Sequence, residues 1–140
     1  MKRFITICVL LLSFTFMKAQ TFTVTDIQFS NNVSDYEIQK DKAGLLGATV
    51  NMAFFENDVK VTLTANENGK KRQYPTDVFK KVTDVIYQLE VHRRYGDVMK
   101  TFVVSRLELE TTLGFIKSAK IHVFDDNKLE KTVILKREIF

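Results

Sequence analysis

The sequence predicts an all-β protein: an antiparallel meander of about eight or nine strands forming a closed or partly open barrel, with a β-sandwich as the alternative. Three observations carry that prediction. Apolar residues recur at every second position over much of the chain after residue 20, which is the period of a strand with one buried face. Turn-forming groups such as Tyr95-Gly96-Asp97, Leu113-Gly114 and Asp125-Asp126-Asn127-Lys128 separate those runs,. No linker, repeat or low-complexity segment divides the chain, so residues 21–140 are expected to form one domain.

Residues 1–20 stand apart. Lys2 and Arg3 make a basic start, Phe4 to Phe16 is apolar except for Thr6, Ser13 and Thr15, and Lys18-Ala19-Gln20 closes the run with a small residue. That is the anatomy of a signal peptide. The run is shorter than the roughly 20 residues a membrane-spanning helix needs, and no second run follows it. Cleavage near Ala19 to Thr21, a secreted or periplasmic location and no transmembrane segment in the mature chain are expected.

Removing that segment changes the charge. The whole chain has 21 Lys and Arg against 17 Asp and Glu, a net of +4; without Lys2, Arg3 and Lys18 the balance is 18 against 17, a net of +1. Lys70-Lys71-Arg72, Lys80-Lys81 and Arg93-Arg94 are flanked by carboxylates and are not interleaved with aromatics. This is the pattern of solvated strand ends and not of a nucleic-acid surface. Cys8, the single cysteine, lies inside the apolar run after the bulky Ile7, a poor position for lipid attachment. A mature chain of about 120 residues without disulfides must be held by apolar burial, and it is long enough for that.

Taken in order, Phe22 and Val24 alternate with threonines, then Ile27 and Phe29 continue on the opposite parity, so a bulge is expected at Thr25-Asp26. Ser30 to Lys42 is polar and reads as a loop, or a lone short strand around Tyr36 and Ile38. Ala48, Val50, Met52 and Phe54, then Val59, Val61, Leu63 and Ala65, form a hairpin about Glu56-Asn57-Asp58. Asn66-Glu67-Asn68-Gly69 turns into a short polar strand at Lys70 to Tyr74 that Pro75 ends. Thr76 to Leu89 fits two periods. A strand from Val82 onward is preferred for its β-branched residues, with a short helix over Thr76 to Lys81 compatible. The alternation of Val85, Tyr87, Leu89 and Val91, of Val103, Leu107 and Leu109, and of Ala119, Ile121 and Val123 gives three further strands, and Val133 and Leu135 mark the last. Phe140 shares its parity with Glu138 and Lys136, unlike the lipid-facing close of a membrane barrel.

Motifs that carry chemistry are sparse. His122 falls on the polar side of its strand, His92 at the start of a turn, and no histidine pair has metal-ligand spacing. Asp125, Asp126, Asn127 and Glu130 lack the alternation and the glycine of a calcium loop. Ser105 sits mid-strand without a nucleophile elbow, and Glu108 and Glu110 share a solvated face. The expectation is therefore a non-catalytic protein with no cofactor, no metal and no nucleic-acid partner.

The apolar signal, the meander and the closing segment Thr132-Val133-Ile134-Leu135-Lys136-Arg137 resemble small secreted lipocalin-like, calycin-type β-barrel proteins of Bacteroidota; barrels of avidin or fatty-acid-binder size fit the length as well. The Gly-x-Trp of lipocalins is absent, the chain having no tryptophan. The inward apolar set and the barrel-like strand count suggest a small apolar ligand in the barrel, with Met52, Phe54, Tyr87, Leu89, Leu107 and Ile121 as candidate ligand-binding residues. Phe55, Phe102, Phe115 and Phe124 fall on the opposite parity. An alternative is thus an interaction or inhibitor module that meets a protein partner through an outer aromatic face at Phe102, Phe115 and Phe124.

Overall fold

The computed structural model describes residues 19–138, so the apolar start of the signal reading and Phe140 lie outside the described residues. Ten elements follow one another: β1 (Ala19–Phe29), α1 (Asp35–Leu45), β2 (Thr49–Phe54), β3 (Asp58–Glu67), β4 (Lys70–Gln73), β5 (Asp77–Lys81), β6 (Ile86–Tyr95), β7 (Val98–Thr112), β8 (Phe115–Asp125) and β9 (Lys128–Arg137). All strand pairs are antiparallel. The order β2-β1-β9-β8-β7-β6-β5-β3 closes on itself through the β2–β3 pairing, giving an eight-stranded barrel with β4 outside the ring. Closure removes the unpaired edges of the ring itself, leaving those of β4 and of the outer parts of β6 and β7,.

Alternation sets which way each side chain points. Phe22 and Val24 on β1, Val50 and Met52 on β2, Val59 and Val61 on β3, Leu107 and Leu109 on β7 and Leu135 on β9 are buried inside. Their neighbours Lys60, Glu108, Glu110 and Lys120 face solvent. An apolar lumen under a polar wall is the inverse of a lipid-embedded barrel. Among the described residues no helix is long and apolar enough to cross a membrane. The register of β1 against β9 slips between Val24 and Asp26, at the position where the parity of the sequence changes.

Three sequence expectations differ from the structure. The polar stretch around Tyr36 and Ile38 is helical and not a loop or strand. Ser34 caps α1, its hydroxyl accepting a bond from the Glu37 amide at 3.3 Å, with Asp35 and Glu37 in the first turn and Lys42 in the last. Those charges suit the helix dipole. The helix buries no residue, so it has no apolar stripe for periodicity to detect. Second, Thr76 to Lys81 holds a strand, β5, and Val82 lies in the turn after it, where the amides of Val82 and Thr83 both bond to the Ile86 carbonyl. The next strand therefore begins at Ile86. Third, His92 lies within β6 and bonds through Nδ1 to Thr101 Oγ1 at 2.8 Å across the β6–β7 pair.

Candidate functional site

The two ends of the barrel differ. At the end holding the β2–β3, β5–β6 and β7–β8 turns, Phe22, Met52, Val59, Leu107 and Leu135 fill the lumen, each essentially without solvent contact. The Phe54 and Tyr87 rings meet edge to face at 6.3 Å beside them. Burial there pushes the Tyr87 phenol up from its ordinary value, with Lys81 opposing that rise. This end is a packed core.

The other end opens into a cavity of about 430 Å³. Val24, Val50, Val61, Phe79, Ile121 and Val133 form its floor and walls, and Leu45, Leu63, Leu89, Val104 and Phe124 stand nearer its rim. The register shifts by one residue at Leu89/Glu90 and again at Val123/Phe124. Such bulges bend a strand and re-aim side chains, and they place Val104 and Phe124 against the mouth. Helix α1 lies at the same rim, with Lys131 Nζ on β9 bonded to Asp41 Oδ2 at 2.8 Å.

The wall of the mouth is incomplete. β5 pairs with β6 only through Lys80–Gln88 and Lys81–Tyr87, so the seam between these strands opens from Phe79 and Leu89 upward. The outer edge of β3 is shared, Asp58 to Val61 pairing with β5 and Thr64 to Glu67 with β4. Tyr74 and Pro75, between β4 and β5, line the opening. The Tyr74 hydroxyl donates to Glu67, which raises the phenol pKa and lowers that of the carboxyl, Arg72 adding to the second effect.

Three polar side chains belong to the inner face at the mouth. Ser105 is buried and donates to the His122 carbonyl at 3.1 Å. Lys131, one turn of alternation from Val133, is paired with Asp41. Asp77 is in register with Val61 and shares its parity with Phe79, so it faces inward beside the open seam. It keeps more than a third of its surface in contact with solvent. Even so, desolvation by the surrounding wall raises its pKa above 3.8, the ordinary value. Among the described residues it takes part in no ion pair.

Comparison with protein-family models, curated proteins and solved structures found no match.

Of the residues singled out by sequence, Leu89 and Ile121 line the cavity. Met52, Tyr87 and Leu107 lie in the packed end, and Phe54 packs against it. Alternation identifies all six as inward-facing, but it carries no information about height along the barrel axis. The three outer phenylalanines do not form one face. Phe115, 68% exposed, stands at the β7–β8 turn of the packed end. Phe124 lies at the other end of β8, roughly 30 Å away at about 3.3 Å per residue, under the Arg106 guanidinium. Phe102 sits on a two-stranded ribbon, residues 89–104, whose β6 edge lies beyond the last β5 pair and whose β7 edge lies before the first β8 pair.

One arrangement has the residue types of a hydrolytic triad. His122 Nε2 meets Glu108 Oε2 at 3.0 Å and His122 Nδ1 meets Thr132 Oγ1 at 2.9 Å. These are cross-strand neighbours on the outer wall, and Thr132 is only 6% exposed. The Thr132 hydroxyl is buried against the imidazole, and the row forms a polar ladder across the sheet,. Among the described residues no group of three His, Cys, Asp or Glu side chains is arranged to hold a metal ion.

Proposed function

We propose that this protein is an exported, non-catalytic β-barrel that binds one small apolar molecule in the mouth of the barrel, in the manner of the lipocalin-like proteins its pattern resembles. The carrying observation is the cavity itself: about 430 Å³, apolar over nearly all its lining, and open at a rim and along one seam. Small-molecule sites span about 300 to 1,000 Å³ and combine apolar walls with a few polar groups. Asp77, Ser105 and Lys131 are such groups. The basic and apolar start of the chain supports export.

The test uses N-phenyl-1-naphthylamine, a neutral apolar dye whose fluorescence rises on leaving water. Saturable binding of one dye per barrel is expected, and Leu89→Trp, which fills the mouth from its rim, is expected to abolish it while leaving the circular dichroism unchanged. Dye binding that is unsaturable, or unaltered in a folded Leu89→Trp protein, would overturn this reading.

A second reading, an interaction module, is favoured by the ribbon tip, where Tyr95, Val98 and Met99 are 53%, 57% and 60% exposed. On this reading Phe102 contributes through its edge-to-face contact with Tyr95. Serine at Tyr95, Val98 and Met99 together is expected to abolish a stoichiometric association recovered from the native host and to leave dye binding intact.

A further inference from the structure

The cavity has two charged groups on its inner face, and they are not equivalent. The Lys131 ammonium is already matched by Asp41 at 2.8 Å, and both side chains are largely removed from solvent. An anionic ligand group seeking Lys131 would first have to displace that carboxylate. The Asp77 carboxyl has no such partner among the described residues. It belongs to the inward parity of β5, lines the cavity together with Tyr74 and Phe79, and lies beside the seam where β5 and β6 separate. Ser105, the third polar group, has its proton committed to the His122 carbonyl. Arg93, a cation of the ribbon, lines a separate small groove together with Asp125 and Asp126.

Resting on the cavity reading above, we propose that the ligand is an apolar amine whose protonated nitrogen is received by Asp77 while its hydrocarbon part fills the cavity. A carboxylate supplies acceptors only, so it selects for a donor, and a cationic donor makes the stronger bond. Tyr74 and Phe79, aromatic residues of the same lining, add faces that a cation can use,. The open seam lets the nitrogen keep part of its hydration, so the ammonium does not bear the full cost of burial. The half-exposed Asp77 carboxyl lies on the cavity lining without an ion-pair partner among the described residues. Its position is accounted for by a ligand that matches it.

The test is competition against N-phenyl-1-naphthylamine by three molecules of equal chain length: decylamine, decanol and decanoate. Decylamine is expected to displace the dye at about tenfold lower concentration than decanol, and decanoate to be the weakest, the spacing set by one charge-assisted bond in a half-exposed site. Asp77→Asn is expected to bring decylamine level with decanol, the two being compared within that variant, and Lys131→Met to leave the amine preference in place. Equal potency of the three in the wild type would overturn the proposal. So would a preference for decanoate that disappears in Lys131→Met. In either case intact dye binding would leave the cavity reading standing, whereas absence of dye binding would remove both. The ranking in the wild-type protein decides the matter even where a variant fails to fold.

Discussion

One wall of strands makes two different ends. At the packed end the β2–β3 and β7–β8 connections are short, and the inward positions carry Phe22, Met52, Leu107 and Leu135, fully buried members of one apolar cluster. At the open end β8 and β9 are joined by a two-residue turn, but the other three connections are longer or displaced: α1 stands between β1 and β2, β4 is inserted before β5, and the β6–β7 pair runs past the ring as a ribbon. The inward positions there are mostly Val, Leu and Ile set around open space. The difference teaches that alternation specifies inside and outside, while side-chain volume and connection length decide which inside is solid. On the proposed function, stability belongs to the first end and recognition to the second, the usual division between a scaffold and the loops it positions.

The largest expected effect tests that division directly. Leu107→Ala is expected to cost about 3 kcal/mol, because it leaves a void in a packed core. Leu63→Ala, at a half-buried rim position, is expected to cost about 1 kcal/mol, the transfer of part of a side chain with little new cavity. Urea unfolding of the two variants measures both, and equal losses would break the distinction between the ends.

A middle-sized effect concerns α1. Ser34→Ala removes the bond to the Glu37 amide and is expected to weaken the helix by about 1 kcal/mol. Because α1 buries no residue, that loss is expected to be local: faster amide exchange over Asp35–Leu45 with an unchanged midpoint of global unfolding. Equal loss of protection in β7 and β8 would mean that the helix is part of the cooperative core.

The smallest effect is the pH dependence at Asp77. Its pKa is raised in the fold by desolvation, so the ionised form is the less favoured one there. The stability associated with its protonated form is fully present below about 3.8 and is lost as pH rises through the folded pKa. Asp77→Asn, which stays neutral, is expected to be slightly more stable than the wild type at pH 7 and to lose that advantage at pH 3. A melting comparison at the two pH values checks the sign, and a destabilised Asp77→Asn at pH 7 would show that the carboxylate has a structural partner.

Much of the barrel is legible in the sequence because its signals are local. The parity change between Val24 and Ile27 announces the β1 bulge, and turns at Asn68-Gly69 and Leu113-Gly114 fall where the backbone takes positive φ. The helix α1 escapes a reading based on periodicity because it presents no apolar stripe. Its signal was the capping pair Ser34-x-x-Glu37, which survives without burial. β5 escapes because Val78, Phe79 and Val82 also fit a helical spacing, and only pairing with β3 settles the matter. The cavity is less legible still. Leu89 and Leu107 are indistinguishable by alternation, and what separates them is that one lies at the seam beyond Lys80–Gln88 while the other lies fully buried between Tyr87 and Ile121 of the paired strands on either side. Asp77 had a local signal, an acidic residue two positions before Phe79, but it becomes meaningful only once β5 is known to be a strand.

The central claim is that the two ends differ in the capacity to admit a ligand, and methyl NMR during titration with N-phenyl-1-naphthylamine tests it most directly. The account predicts that methyl signals of Leu63, Leu89, Ile121 and Val133 shift together to one saturation point, while those of Val59, Leu107 and Leu135 stay in place. Shifts at the packed end, or shifts spread evenly over both ends, would contradict it.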